Sequence, residues 1–174
     1  ATQLASYGVS RRTGAMAFGL LVLLLLGLPL WAAASGSTTA ALIDGFFRAG
    51  ALVFGGGHVV LPLLQSATTS AGVVGIAAFL AGYGAAQAVP GPLFTFAAYL
   101  GTVADWALHG WRGGLVLLVV IFVPAFLVLI GALPFWERLR HRQGIQAAMA
   151  GINAGVVGIL LSALYDPVFT SAIH

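Results

Sequence analysis

The stretch of sequence that decides the fold runs from residue 49 to residue 104 and reads AGALVFGGGHVVLPLLQSATTSAGVVGIAAFLAGYGAAQAVPGPLFTFAAYLGTVA. It contains no Asp, Glu, Lys or Arg, and it is interrupted by a triple glycine at 55–57 and by Pro-Gly-Pro at 90–92. Glycine runs disfavour helix, and proline lacks an N–H and clashes with the preceding turn. Because a membrane-crossing helix needs about 20 apolar residues, this interval is too long for one crossing.

The two interruptions divide this part of the chain into four helical pieces, predicted at 42–54, 58–69, 72–89 and 92–103. A piece of about 12 residues is about 18 Å long, well short of a bilayer core of about 30 Å. We therefore expect two broken or re-entrant helix hairpins. Irregular backbone at membrane depth is tolerated only where it is buried in protein or lines a polar cavity, so the breaks are the predicted functional centre.

The composition of the whole chain identifies an integral membrane protein. Its 174 residues are 60% hydrophobic and 6% charged, whereas soluble domains average about 25% charged residues. This excludes a soluble enzyme, a nucleic-acid binder and a disordered segment. Three further charge-free runs predict full crossings centred near residues 24, 123 and 154. The expected fold is all-α and polytopic, with three full crossings and two broken hairpins in one transmembrane domain, 1–174.

The seven basic residues are all arginines, and their placement predicts the orientation. Five of them flank the apolar runs at Arg11, Arg12, Arg138, Arg140 and Arg142. The positive-inside rule places these five on the cytoplasmic side and accounts for the net charge of +3 without a nucleic-acid partner. Tryptophans 106, 111 and 136 are interpreted as interfacial belt residues.

The breaks predict an anion site. A helix N-terminus exposes free N–H groups and about half a positive charge, and two such ends meeting at the membrane midplane form one site. The candidate substrate-binding residues are Arg48, Gly55, Gly56, Gly57, His58, Gln87, Pro90, Gly91, Pro92 and Thr95. The sequence has no cysteine and no Gly-x-Ser-x-Gly, Walker or His-Glu-x-x-His motif, so we expect no enzyme, metal or cofactor.

Each candidate has an alternative structural role. The glycines could serve close helix packing, and Pro-Gly-Pro could be a kink or a surface turn. His58 could be a packing residue, and Gln87 could satisfy backbone groups freed by the proline. Arg48 could extend its charge to the membrane surface or pair with Asp44, one turn earlier.

Four segments resemble the chromate ion transporter family. They are FFRAG at 46–50, FGGGHVVLPLL at 54–64, FLAGYGAAQAVPGPLF at 79–94 and AAYLG at 97–101, and the similarity extends over about residues 40–170. The pair of Phe-Gly-Gly-Gly and Gln-x-x-Pro-Gly-Pro is its specific part. One departure is the connector 66–78, which lacks the acidic residues and tryptophan expected in the family.

The resemblance implies a secondary transporter of chromate that confers chromate resistance by efflux across the cell inner membrane. The alternative substrate is sulfate or another oxyanion. Long members of the family have two homologous halves of opposite topology, and short members have a single half. This chain looks like the second half of a long member or like a short single-half member, that is, one half of an inverted-repeat transporter. A single half implies a partner besides membrane lipid: the missing half, a sister subunit or an antiparallel second copy. The rival hypothesis is a non-transporting subunit that completes such a dimer.

Overall fold

The computed structural model describes residues 10–52, 57–89, 93–108, 110–139 and 143–163. Within these ranges the chain is all-α, with seven α-helices, one 3₁₀ turn and no strand. The elements are α1 (Arg11–Ser35), α2 (Thr38–Leu52), α3 (Gly57–Thr68), α4 (Ile76–Ala88), the 3₁₀ turn (Leu93–Thr95), α5 (Phe96–Val103), α6 (Trp111–Leu139) and α7 (Gln143–Ala163). Of the described helices, Arg11–Ser35 and Trp111–Trp136 are long and apolar enough to cross a membrane. The third predicted crossing coincides with α7 and stays a prediction.

Helices α1 and α2 form an antiparallel pair. The side chain of Ser10 accepts a hydrogen bond from the Thr13 N–H (3.1 Å) and caps the start of α1. Gly36 ends the helix with a φ of 59°, a left-handed conformation that favours glycine. The chain then reverses into α2, and Arg48 contacts the carbonyl oxygen of Leu25 on the way back.

Helix α6 runs antiparallel to α1. A Cβ atom added to Gly14 would lie 2.5 Å from Cγ of Pro134, and one added to Gly131 would lie 2.9 Å from the Phe18 ring. The start of α1, with Arg11 and Arg12, is therefore at the same end of the bundle as the end of α6. We call this the arginine end.

The four short pieces pair into two antiparallel hairpins, as the sequence predicts. In the first hairpin, a Cβ added to Gly45 of α2 would lie 2.7 Å from Cβ of Ala67 in α3. In the second, Gly82 of α4 is covered by the ring of Tyr99 in α5, whose hydroxyl donates to the carbonyl of Ala78 (3.0 Å). The two residues of each pair lie at similar distances along the chain from their break, so the helices on either side of each break run antiparallel. We call the described residues that flank each break the tip of that hairpin.

Both hairpins open at the end of the bundle opposite the arginine end. The turn between α3 and α4 is held to the segment after α5 by a hydrogen bond from the Asp105 N–H to the Val73 carbonyl (2.9 Å). Within this turn Gly72 has a φ of 75°. The predicted helix start at residue 72 is wrong for that reason, because a left-handed residue ends regular helix, and α4 begins at Ile76.

Tryptophan side chains mark the ends of the α6 span. Trp111 is 68% exposed and Trp136 is 45% exposed, as expected of side chains at the two membrane surfaces. Trp106 differs from the interfacial prediction, because it is buried and its indole N–H donates to the carbonyl of Gly101 (3.1 Å). The midpoint of α6 between Trp111 and Trp136 lies near Pro124, which is fully buried.

Candidate substrate site at the hairpin tips

Half of the predicted site residues fall within the described structure. Gly55, Gly56, Pro90, Gly91 and Pro92 lie outside the described residues. Residues 57 and 58 are the first two of α3, although the side chain of residue 58 is also outside the description. Arg48, Gln87 and Thr95 are described in full.

The two hairpin tips adjoin neighbouring residues near the middle of α6. Gly50, just before the first break, lies so close to α6 that a Cβ would overlap the carbonyl oxygen of Ile121. Phe94, just after the second break, packs edge-to-face on Phe122 with ring centroids 5.5 Å apart. Ile121 and Phe122 are consecutive residues. The chain segments that flank the two breaks therefore contact α6 at the same level along its helix axis.

Arg48 is held at this same height by α1. Its Nη2 donates to the carbonyl oxygen of Leu25 (3.3 Å), which is near the middle of α1. In a regular helix that oxygen would accept the N–H of residue 29, but residue 29 is a proline and has no N–H. Arg48 thus supplies the donor that Pro29 lacks, and its charge is held at the middle of α1 and not at a helix end.

Asp44 neutralises Arg48 from one helical turn away. Arg48 Nε donates to Asp44 Oδ1 (2.9 Å), and the side chains are 40% and 18% exposed. The predicted pairing of these two residues is confirmed. A guanidinium has five N–H donors, and Arg48 uses two of them within the described part of the chain, so donors remain for a ligand.

Gln87 and Thr95 lie on either side of the second break, and both are exposed. The Gln87 amide N–H donates to the Tyr83 hydroxyl (2.6 Å), one turn earlier on α4. Thr95 is the last residue of the 3₁₀ turn that leads into α5. Short helical elements on the two sides of the second break therefore carry these two side chains.

An aromatic cluster, which sequence reasoning missed, supports the second tip. The Phe96 ring lies 5.2 Å from Phe79, 6.0 Å from Tyr99 and 6.3 Å from Tyr83, measured between centroids. Phe96 is fully buried. The sequence feature that could have predicted this cluster is the presence of aromatic residues on both sides of Pro-Gly-Pro. Aromatic rings on two short helices can contact each other only if those helices pair.

An apolar groove of about 840 Å³ lies beside the first tip. It is formed between α1, α2 and α6, and its lining residues are Leu21, Leu25, Gly50, Ala51, Leu52, Pro124, Ala125, Val128, Leu129, Ala132, Leu133 and Trp136. None of these side chains is charged, so the groove suits lipid or apolar protein surface, and the polar groups of the site lie next to it.

The hydrogen bond from Arg48 to Leu25 leads to a prediction about stability. Pro29→Ala restores an intrahelical N–H for the Leu25 carbonyl, and we expect it to raise the free energy of unfolding by up to about 3 kcal/mol, the usual cost of proline inside a helix. The gain should be larger in an Arg48→Ala background, where that carbonyl otherwise has no donor. Thermal unfolding in detergent of the wild-type protein, the two single variants and the double variant measures the coupling between Pro29 and Arg48. Equal gains in both backgrounds would show that Arg48 does not serve the carbonyl.

The described fold is all-helical, includes two helices long and apolar enough to cross a membrane, and is that of a helical membrane protein. The profile of the chromate transporter family matches residues 40–174, and the chain belongs to this family.

Three curated relatives have related sequences. The chain is 29% identical over 158 residues to a chromate transport protein of Pseudomonas aeruginosa, covering 83% of this chain and 36% of the relative. It is 27% identical over 141 residues to a probable chromate transport protein of Synechococcus elongatus, covering 79% and 35%. It is 24% identical over 110 residues to an uncharacterized transporter of Methanocaldococcus jannaschii, covering 63% and 26%. The chain thus spans about a third or less of these relatives' length, and no solved structure matches it significantly.

Proposed function

We propose that this chain is one repeat of a secondary transporter that binds chromate between its two hairpin tips. The observation that carries the proposal is the contact of Gly50 with Ile121 and of Phe94 with Phe122, at one height near the middle of α6. Because α3 begins seven residues after Gly50 and the 3₁₀ turn begins one residue before Phe94, we expect their N-termini to face one anion. Both hairpins would then enter the membrane from the same side and turn at half depth.

Arg48 would supply the positive charge that a dianion needs. It lies two residues before Gly50 and has N–H donors that no residue in the described ranges uses. Charge-assisted hydrogen bonds to oxyanions are among the strongest hydrogen bonds. The N–H groups of Gly55–His58 and of the segment after Pro90–Pro92, with the side chains of Gln87 and Thr95, would complete the oxygen contacts. The same set suits sulfate, which has the same shape and charge as chromate.

The direction proposed is outward, across the cell inner membrane. Moving one charge across a membrane potential is worth about 2.3 kcal/mol per 100 mV, so a dianion leaving a negative interior gains about twice that amount. The membrane potential alone can therefore drive efflux. The positive-inside rule would place the arginine end in the cytoplasm, and the hairpins would open to the outer side.

A second repeat would complete the transporter. The described side chains of α7 from residue 151 to 158 are all exposed, and added Cβ atoms at Gly151, Gly155 and Gly158 would meet nothing within 4 Å. Small residues spaced in this way suit close helix packing in a membrane. The partner would be a homologous half, a sister subunit or an antiparallel copy, and α7 would form the third crossing.

Chromate flux into inside-out membrane vesicles tests the proposal. We expect vesicles that contain the chain to take up chromate faster than empty vesicles, and faster still when a potassium gradient with valinomycin makes the lumen positive. Excess sulfate should compete. Flux that appears only when a homologous half is co-expressed would favour the assembly-subunit hypothesis, and no flux in either case would exclude chromate transport.

Gly56→Leu should abolish this flux, because a bulky side chain at the triple glycine would occupy the approach to the N-terminal N–H groups. Removing one such donor from a preorganised anion site lowers rates roughly 100-fold or more in enzymes. The matched control is Gly19→Leu on α1, where an added Cβ meets nothing within 4 Å. Equal flux in the two variants would place the substrate elsewhere.

A further inference from the structure

The pair formed by Asp44 and Arg48 is the only charge within a long apolar part of the chain. Between Arg12 and Asp105 the sequence contains no other Asp, Glu, Lys or Arg. Arg48 is bonded to Leu25 near the middle of α1, a helix long and apolar enough to cross a membrane, so the pair would lie at depth in the bilayer. Ionised side chains at such depth are costly and are kept where they serve function.

The two bonds of Arg48 differ in kind. The Leu25 carbonyl has no competing helical donor, because Pro29 follows it by one turn, so this bond anchors the guanidinium to α1. The bond to Asp44 joins two side chains on the same helix, four residues apart, and can open by a rotation of the Asp44 side chain. An arriving anion would therefore meet an arginine that is fixed in place and a carboxylate that can move.

We infer that Asp44 is a resident counter-ion that neutralises Arg48 in the empty transporter and that the transported dianion displaces it. This inference rests on the proposed function. Asp44 and the dianion bear the same sign and compete for the same guanidinium, so the carboxylate weakens binding and returns to Arg48 as the anion leaves. Transport requires a site that binds firmly enough to load and weakly enough to release.

The other groups around Asp44 leave it as the sole carboxylate competitor. Helix α1 contributes no charged side chain after Arg12, α6 contributes none from residue 113 to 136, and α3 contributes only His58, which is not an anion. Competition for Arg48 in this part of the sequence therefore comes from Asp44 alone.

Asp44→Asn tests the inference through the separate responses of KM and maximal rate. The amide preserves the shape but carries no charge, so we expect the KM for chromate to fall roughly tenfold, the order of one charge-assisted bond, and the maximal rate to fall as release slows. Asp44→Glu retains the competing charge and should keep a KM near the wild-type value. The control Asp105→Asn, in the segment after α5 where the hairpins open, should change neither parameter.

A second measurement covers the case in which the Asn variant transports poorly. Chromate should raise the thermal unfolding temperature of Asp44→Asn more than that of the wild-type protein, because the unpaired arginine gains more from the dianion. The counter-ion role would be overturned if Asp44→Asn had an unchanged or higher KM for chromate and if chromate shifted its unfolding temperature no more than it shifts that of the wild-type protein. Absence of chromate flux and of any thermal shift in the wild-type protein would instead reject the proposed function.

Discussion

Gly50→Leu is expected to disrupt the packing of α2 on α6 and to lower the unfolding temperature sharply. Any Cβ at this position overlaps the carbonyl oxygen of Ile121, and the neighbouring backbone atoms of that residue are also in contact. Backbone inside a packed helix cannot move aside as a flexible side chain can, so the two helices must separate. Overpacking of a core typically lowers the free energy of unfolding by about 1–3 kcal/mol, and we expect Gly50→Leu to lie at the upper end of that range.

A pair of alanine variants isolates the contact from helix propensity. Alanine is favoured over glycine inside a helix by about 1 kcal/mol, so Gly19→Ala, which meets nothing within 4 Å, should be neutral or stabilising. Gly50→Ala should be destabilising in spite of the same propensity gain. Thermal unfolding in one detergent compares the two variants directly. Stabilisation of both would mean that α2 does not approach α6 at this point.

The helix limits near the breaks could be predicted from the sequence because glycine and proline act on the backbone locally. The predicted piece 58–69 corresponds to Gly57–Thr68, and 92–103 corresponds to the 3₁₀ turn and α5 together. The start of α4 could not be predicted in the same way. It depends on the turn at Gly72 and on a hydrogen bond between Val73 and Asp105, which are far apart in the sequence.

The candidate site was predictable in its residue types but not in its contacts. A lone ion pair in an apolar sequence identifies Arg48 as a candidate, and its spacing from Asp44 allows the pairing that the structure contains. Pro29 also predicts that the Leu25 carbonyl lacks a helical donor. Which side chain would supply that donor could not be predicted, because Leu25 and Arg48 are 23 residues apart and meet only when α1 and α2 pair.

Arg48→Ala is expected to raise the KM for chromate roughly 10- to 100-fold, which corresponds to the loss of one hydrogen bond between charged groups. Arg48→Lys should be intermediate, because lysine retains the charge but lacks the planar fork that reaches an oxyanion and a carbonyl together. The matched control is Arg112→Ala. Arg112 is exposed, with its guanidinium 5.6 Å from the Trp111 ring centroid, so its loss should leave the KM unchanged.

A double variant separates binding from folding. Arg48→Ala leaves both Asp44 and the Leu25 carbonyl without their donor, and we expect a loss of about 1–3 kcal/mol in stability, reduced by the partial exposure of the pair. Adding Asp44→Asn removes the unpaired carboxylate and should restore part of that stability while the KM stays high. If the double variant instead recovered both the unfolding temperature and the KM of the wild-type protein, Arg48 would act only by holding α1 and α2 together.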